Sequence, residues 1–271
     1  MRLRSSLRWG MWGLGAAAAA CVPSGSAGPQ DAGPSAAAQA HPQNTSRPTS
    51  EAPPVEVLKT PFEDNFDRPA KAAPAPALVP MAPLPSADLG PDWTTSAPGA
   101  WRIEGGRLCG ERAHNHGVWL RRAIPVDARI EFDAVSDSND GDLKAEYWGD
   151  GRSFATSLSY TNATSYLTIF GGWHNKFHVL ARIDEHANDR KQITVDPTSD
   201  DPREKPVFAG QIYHFKVERS DGKTVRWWVD NNEMLSYPDP APLVGVGHDH
   251  FAFNDWEVKV CFDNVRIAPL P

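Results

Sequence analysis

The chain has 271 residues and a formal charge of −7, with 34 Asp and Glu against 27 Lys and Arg. No long Lys/Arg run occurs, which excludes a basic patch for nucleic acid or for an anionic membrane. Ten tryptophans are many for this length, and any account of function has to place them.

Residues 1–21 carry Arg2, Arg4 and Arg8, then an apolar run that ends at Cys21. That is the layout of a secretory signal peptide, and the run is too short for a permanent span. Ala18-Ala19-Ala20-Cys21 resembles the bacterial lipobox, with Ala18 where Leu is usual. Cys21 is therefore the expected lipidation site and mature N-terminus, giving an exported protein anchored in the cell envelope; an ordinary signal peptide with Cys21 incidental, and hence a secreted protein, is the alternative. Val22 and Pro23 follow without an Asp that would retain it at an inner membrane, so an outer membrane is the expected address. Residues 22–60, rich in Pro, Ala, Ser and Gln, have no apolar periodicity and read as a disordered tether. The folded domain is expected over 61–271, with a Pro-rich loop at about 69–98 near its start.

Strand-like segments then recur at short intervals, at 62–67, 101–103, 107–109, 118–121, 128–134, 143–148, 153–160, 165–170, 178–183 and 192–195. Gly/Asp turns such as Asn139-Asp140-Gly141 and Gly171-Gly172 separate them. Residues 213–230 form the strongest signal. Tyr213, Phe215 and Val217 alternate with polar residues, as do Val225, Trp227 and Val229, around Ser220-Asp221-Gly222-Lys223. The period of two and the Asp-Gly turn predict a hairpin. Segments at 251–253 and 257–267 close the chain, and no amphipathic helix of three turns is present. The expected fold class is all-β, a two-sheet antiparallel sandwich.

The order of FEDNF at 62–66, WRIEGGRL at 101–108, ARIEFD at 128–133, the hairpin ending in Trp-x-Val-Asp, and VCFDNVRI at 260–267 resembles the concanavalin A-like lectin/glucanase superfamily, which includes laminin G-like domains. The resemblance runs from about residue 61 to the C-terminus and implies a jelly-roll sandwich whose first and last strands are neighbours. It implies little about function, because the superfamily hosts both lectins and enzymes. Its glucanases carry E-x-D-x-E on one strand. Glu131-Phe132-Asp133 begins that pattern but no third Glu follows, so no catalytic residue is assigned. Members often bind calcium near acidic loops, and Asp137, Asn139, Asp140 and Asp142 have that composition without EF-hand spacing.

The most chemically loaded stretch is 171–190, GGWHNKFHVLARIDEHANDR. Trp173, after two glycines, is expected at a loop rim. His174, Asn175, Arg182, Asp184, Glu185 and His186 complete the candidate ligand-binding set, with Arg182, Asp184 and His186 sharing one strand face. Aromatic faces with Asp, Asn, Arg and His nearby suit a carbohydrate ligand. The same stretch reads equally as a surface strand held by local ion pairs. A glycoside hydrolase or polysaccharide lyase, and a structural envelope protein, remain the alternatives. Cys109 and Cys261 are the two cysteines left in an exported chain, so a disulfide is expected and two buried thiols are the alternative.

Overall fold

The computed structural model describes residues 56–68 and 88–271. The expected leader 1–21 with Cys21, most of the tether 22–60, and the greater part of the Pro-rich loop lie outside the described residues.

Fifteen strands form among the described residues. They are β1 (Phe62–Asp64), β2 (Trp93–Thr95), β3 (Trp101–Glu104), β4 (Arg107–Gly110), β5 (Val118–Leu120), β6 (Ala128–Ser136), β7 (Leu143–Gly149) and β8 (Tyr166–Gly171). After them come β9 (Phe177–Arg182), β10 (Lys191–Thr194), β11 (Ile212–Arg219), β12 (Thr224–Val229), β13 (Asn232–Pro238), β14 (His250–Asn254) and β15 (Val260–Pro269). The first sheet runs β13-β12-β11-β6-β15-β4-β3, with β1 paired to β15, and the second runs β10-β9-β8-β7-β14-β5-β2. All the strand pairings are antiparallel, so the chain adopts the two-sheet antiparallel jelly-roll sandwich. The first and last strands are neighbours, with Phe62 opposite Ile267.

The hairpin supplies the second and third strands from the β13 edge of the first sheet, and its alternation is clean. Tyr213, Phe215, Val217, Val225, Trp227 and Val229 are all buried. Val217 sits opposite Trp227, and all of β11 pairs with β6. Asp221 closes the turn by accepting from the backbone N–H groups of Lys223 and Thr224, while Gly222 takes φ +73. Trp228 points the other way, under the Lys216 amine at 4.1 Å. Phe132 stacks on its cross-strand neighbour Phe215 within the first sheet, and the sheets meet through contacts such as Phe253 stacked on Phe262.

Four expectations need correction. Residues 153–160 are not a strand. Ala155 and Tyr160 are buried while Phe154 and Leu158 are exposed, a spacing that no strand face accommodates, and the segment instead drapes over the second sheet. Trp93, inside the expected loop 69–98, heads β2 because its indole packs on Phe66 and Phe253. Strand β13 was not read from the sequence, since NEMLSYP lacks strict alternation. A β-bulge between Trp227 and Trp228 absorbs the mismatch. Val57, inside the expected tether, already bridges Ala123 in parallel.

Cys109 and Cys261 stand opposite each other on β4 and β15 and are bonded, with Cα atoms 4.0 Å apart and a sequence separation of 152. Closing so long a loop removes unfolded-state entropy worth about 5 kcal/mol on the chain-entropy model. Replacing both cysteines by Ser should lower the urea midpoint markedly, as should reducing the wild type. A midpoint that does not move in either case would show that the bond contributes nothing.

Candidate functional site

The second sheet has two unlike faces. Leu143, Ala145, Tyr147, Tyr166, Phe170, Leu180, Phe251 and Phe253 face the core. On the opposite side, Leu167, Ile169, Val179 and Ala181 form an apolar patch covered by Ala155, Tyr160 and Ala163, with Trp173 and Phe177 at its edge. Beside that patch, period two on β7 sets Lys144 and Glu146 on the same outer face, and both are buried.

Burying these charges requires partners. The Lys144 amine donates to Asn115 Oδ1 at 2.7 Å and to Glu185 Oε2 at 3.0 Å. Burial works against its charge, yet Glu185, Asp142 and Glu146 hold its pKa above the ordinary value. Burial likewise opposes ionisation of Glu185, but the Lys144 charge and the Tyr160 N–H keep its pKa low. Glu146 accepts from Ser165 Oγ (2.6 Å), Asn254 Nδ2 (2.5 Å) and Tyr160 Oη (3.1 Å). Desolvation still pushes it up to about 7. Asp255, immediately after β14, accepts from Ala113 N at 2.8 Å through Oδ2, while its buried Oδ1 has no partner among the described residues. Burial first, then the neighbouring Asp142 charge, raises it to about 7 against the Ala113 bond.

Asp142 is the accessible member of the group. It is half-buried at φ +65, and its carboxylate accepts no hydrogen bond among the described residues. Desolvation raises its pKa, and the charges it feels are those of Lys144, Glu185, His174 and Glu257. Gly141 makes this placement possible, since a Cβ there would come within 2.5 Å of the Gly171 carbonyl oxygen. The loop before β7 thereby packs against the turn after β8, with Asp142 N donating to Gly171 O at 3.1 Å.

That turn, Gly172–Asn175, is left-handed. Trp173, His174 and Asn175 have φ of 54°, 57° and 57°, each costing about 1–2 kcal/mol for an L-residue. Asn175 braces it by pairing with both the N–H and the carbonyl of Val207 at 2.8 Å, and its amide also donates to the Asn139 carbonyl. Strain held by such bracing gathers at functional sites. Its product is a half-buried Trp173, edge-on to Phe177 and His186, with the Arg190 guanidinium 4.8 Å from the ring centre. A second half-buried indole, Trp256, follows Asp255 and carries the His114 ring at 4.9 Å. Trp148, by contrast, is wholly core.

The candidate set from 171–190 is therefore split. Trp173 and His186 meet, and Glu185 lies beneath them on Lys144. His174 stands exposed at the rim, 3.2 Å from Asp140. Asn175 is consumed as a brace. Arg182 does not join Trp173. It belongs to the opposite face with Leu180, donating to Asp239 (2.8 Å) and the Ala241 carbonyl (3.0 Å). Asp184 leaves the strand because Ile183 takes φ +67, and its carboxylate caps the His186 N–H at 2.8 Å. The face shared by residues 182, 184 and 186 thus does not exist.

The calcium candidates also diverge. Asp137 pairs with Lys259, Asp140 with His174, and Asn139 Oδ1 with Ala209 N. Among the described residues no three His, Cys, Asp or Glu side chains gather to hold a metal ion.

No family model matches the chain, and no curated protein matches it in sequence. Among solved structures it is similar to a carbohydrate-binding module from Bacillus subtilis (16% identity, 65% of this chain and 95% of that one, TM-score 0.46). It is also similar to a glycosidic hydrolase (8%, 79% and 98%, 0.49). An alginate lyase solved with an alginate trisaccharide is a third (10%, 78% and 99%, 0.47). Likeness at this level leaves the site to be argued from its own residues.

Proposed function

We propose that the chain binds carbohydrate on the outer face of its second sheet, between the indoles of Trp173 and Trp256. The observation that carries this reading is Asp142, a half-buried carboxylate that accepts no hydrogen bond among the described residues and feels the charges of Lys144, Glu185, His174 and Glu257. A saccharide offers what such a face lacks, with C–H surfaces for the indoles and hydroxyl donors for the carboxylate. Trp173→Ala should weaken binding of glycans found on an array at least tenfold by calorimetry. It should lower Tm by only a few degrees, because the ring is only half-buried. An array with no binder, or a variant that binds as well as wild type, would overturn the reading.

A glycoside hydrolase or polysaccharide lyase on the same face is the second reading. Glu146 and Asp255, held protonated up to about 7, have the pKa that a general acid needs near neutrality. Release of reducing ends or of unsaturated uronates, lost in Glu146→Gln, would favour it. As part of the same proposal, lipid on Cys21 tethers the domain to a bacterial envelope. Cys21→Ser should then move the protein from the detergent phase to the aqueous phase, and a wild type already aqueous would refute the anchor.

A further inference from the structure

A cavity of about 220 Å³ opens between the 202–208 segment, Phe170 of β8 and strands β11 to β13. Its floor is apolar and buried, made by Phe170, Tyr213, Val229 and Met234. Phe208, half exposed, flanks the mouth. The rim is polar and balanced in charge, with Lys205 and Asp230 of opposite sign and the amides of Gln211 and Asn232.

Much of this rim is unused. Asp230 Oδ1 takes the His214 N–H at 2.8 Å, which leaves Oδ2. The Gln211 side chain makes no hydrogen bond among the described residues. The Asn232 amide donates to the carbonyls of Val229 and Asp230, leaving its oxygen. Among the described residues the Lys205 amine donates only to the Pro197 carbonyl, at 3.2 Å.

The wall of the cavity is fixed in advance. Gly171 N donates to His178 Nδ1 at 2.9 Å, so the proton sits on Nε2 and is given to the Lys205 carbonyl at 3.0 Å. Desolvation lowers His178 to about 4, so this neutral tautomer persists through the physiological range. Asn175 clamps Val207 from both sides. Tyr213 Oη accepts the Phe208 N–H, and Asn139 Oδ1 accepts that of Ala209. Four side chains from four other segments therefore hold one short stretch open, which lowers the ordering cost of binding.

We propose that this cavity is a second binding site, distinct from the Trp173 face, for a single neutral pyranose-sized ring. The volume is below the roughly 300–1,000 Å³ of pockets that enclose larger ligands, so it takes one ring and not a chain. An apolar floor with an aromatic flank suits the C–H face of that ring. Free acceptors on Asp230 and Asn232, with donors on Lys205 and Gln211, suit hydroxyls, which give and accept together. The opposed charges of Lys205 and Asp230 disfavour an ionic ligand of either sign.

The test is an amide NMR titration of the full folded domain with methyl α-glucoside, methyl α-galactoside and methyl α-mannoside. At least one should bind at about 1 mM, the affinity that so small a ligand reaches, and shift resonances of residues 205–213 and 230–234. Phe208→Ala and Gln211→Trp, both at exposed rim positions, should weaken it at least fivefold, whereas Trp173→Ala should leave it unchanged. No shift at about ten times that concentration would overturn the site. So would binding that survives both rim variants. Binding lost only in Trp173→Ala would overturn the cavity while supporting the proposed glycan face, so the two readings fail separately.

Discussion

Lys144→Met should destabilise the domain by about 3–5 kcal/mol, the cost of stranding one member of a buried ion pair. Without the amine, the Glu185 carboxylate keeps, among the described residues, only the Tyr160 N–H (3.0 Å) and the His186 ring (3.4 Å), and Asn115 Oδ1 loses its donor. The Glu185 carboxylate is buried and either stays charged without compensation or takes up a proton at neutral pH. Methionine matches the lysine stem, so little packing is lost and the electrostatic effect is isolated. The companion variant Glu185→Gln keeps an acceptor for Tyr160 and removes the negative charge. In the double variant the loss should therefore be well below the sum of the single ones, a coupling of 1 kcal/mol or more in a double-mutant cycle. Urea unfolding of the four proteins measures it. A cost below 1 kcal/mol for Lys144→Met, or strict additivity, would show that water reaches the Lys144–Glu185 pair.

The fold was legible because its strongest signals are local. Alternation in residues 213–230 and the Asp221-Gly222 turn report the hairpin directly, and closing segments of fixed order report the sandwich. The site was only half legible, for a physical reason that Lys144 and Glu146 illustrate. On a strand, a charged residue every second position is the pattern of a solvated face, and LKAEYWG reads that way. What satisfies those charges comes from distant segments, Asn115 and Glu185 for Lys144 and Tyr160, Ser165 and Asn254 for Glu146, and none of these carries a periodic signal on β7. Asp255 was equally hidden, since its environment comes from Ala113, 142 residues away. Trp173 was found because two glycines announce a sharp turn. Arg182 was misplaced because a single left-handed residue, Ile183, ends the strand, and a β-branched residue gives no warning of a positive φ.

Stability should fall as pH rises from about 4.5 to about 7, the reverse of ordinary acid denaturation, because two buried carboxyls prefer to be neutral. Glu146 moves from 4.5 to about 7 and Asp255 from 3.8 to about 7, in both cases chiefly through burial. Below the unfolded values both states bind the proton and neither group contributes a slope. Above them the unfolded chain releases protons that the folded one retains, so the native state holds more protons and stability declines with pH. The decline ends as each group ionises near 7, after a loss of roughly 3–4 kcal/mol apiece. Other groups act in the opposite sense. Burial works against ionisation at Asp64, Asp150, Asp239 and Glu185, yet hydrogen bonds, and cations at three of them, hold all four below their ordinary values. Their contribution is present above the unfolded pKa and disappears as pH falls through the folded one. The maximum of Tm should accordingly lie near pH 5. Glu146→Gln separates the two effects. Its amide oxygen can accept from Asn254, and its NH₂ can donate to the hydroxyls of Ser165 and Tyr160, so the bonds survive without a titrating proton. Lys144, Asp142, Glu185 and Asp255 remain around it unchanged. The variant should match wild type at pH 4 and exceed it by up to about 3 kcal/mol at pH 8. Parallel curves over that range would show that Glu146 ionises as freely in the folded protein as in the unfolded chain.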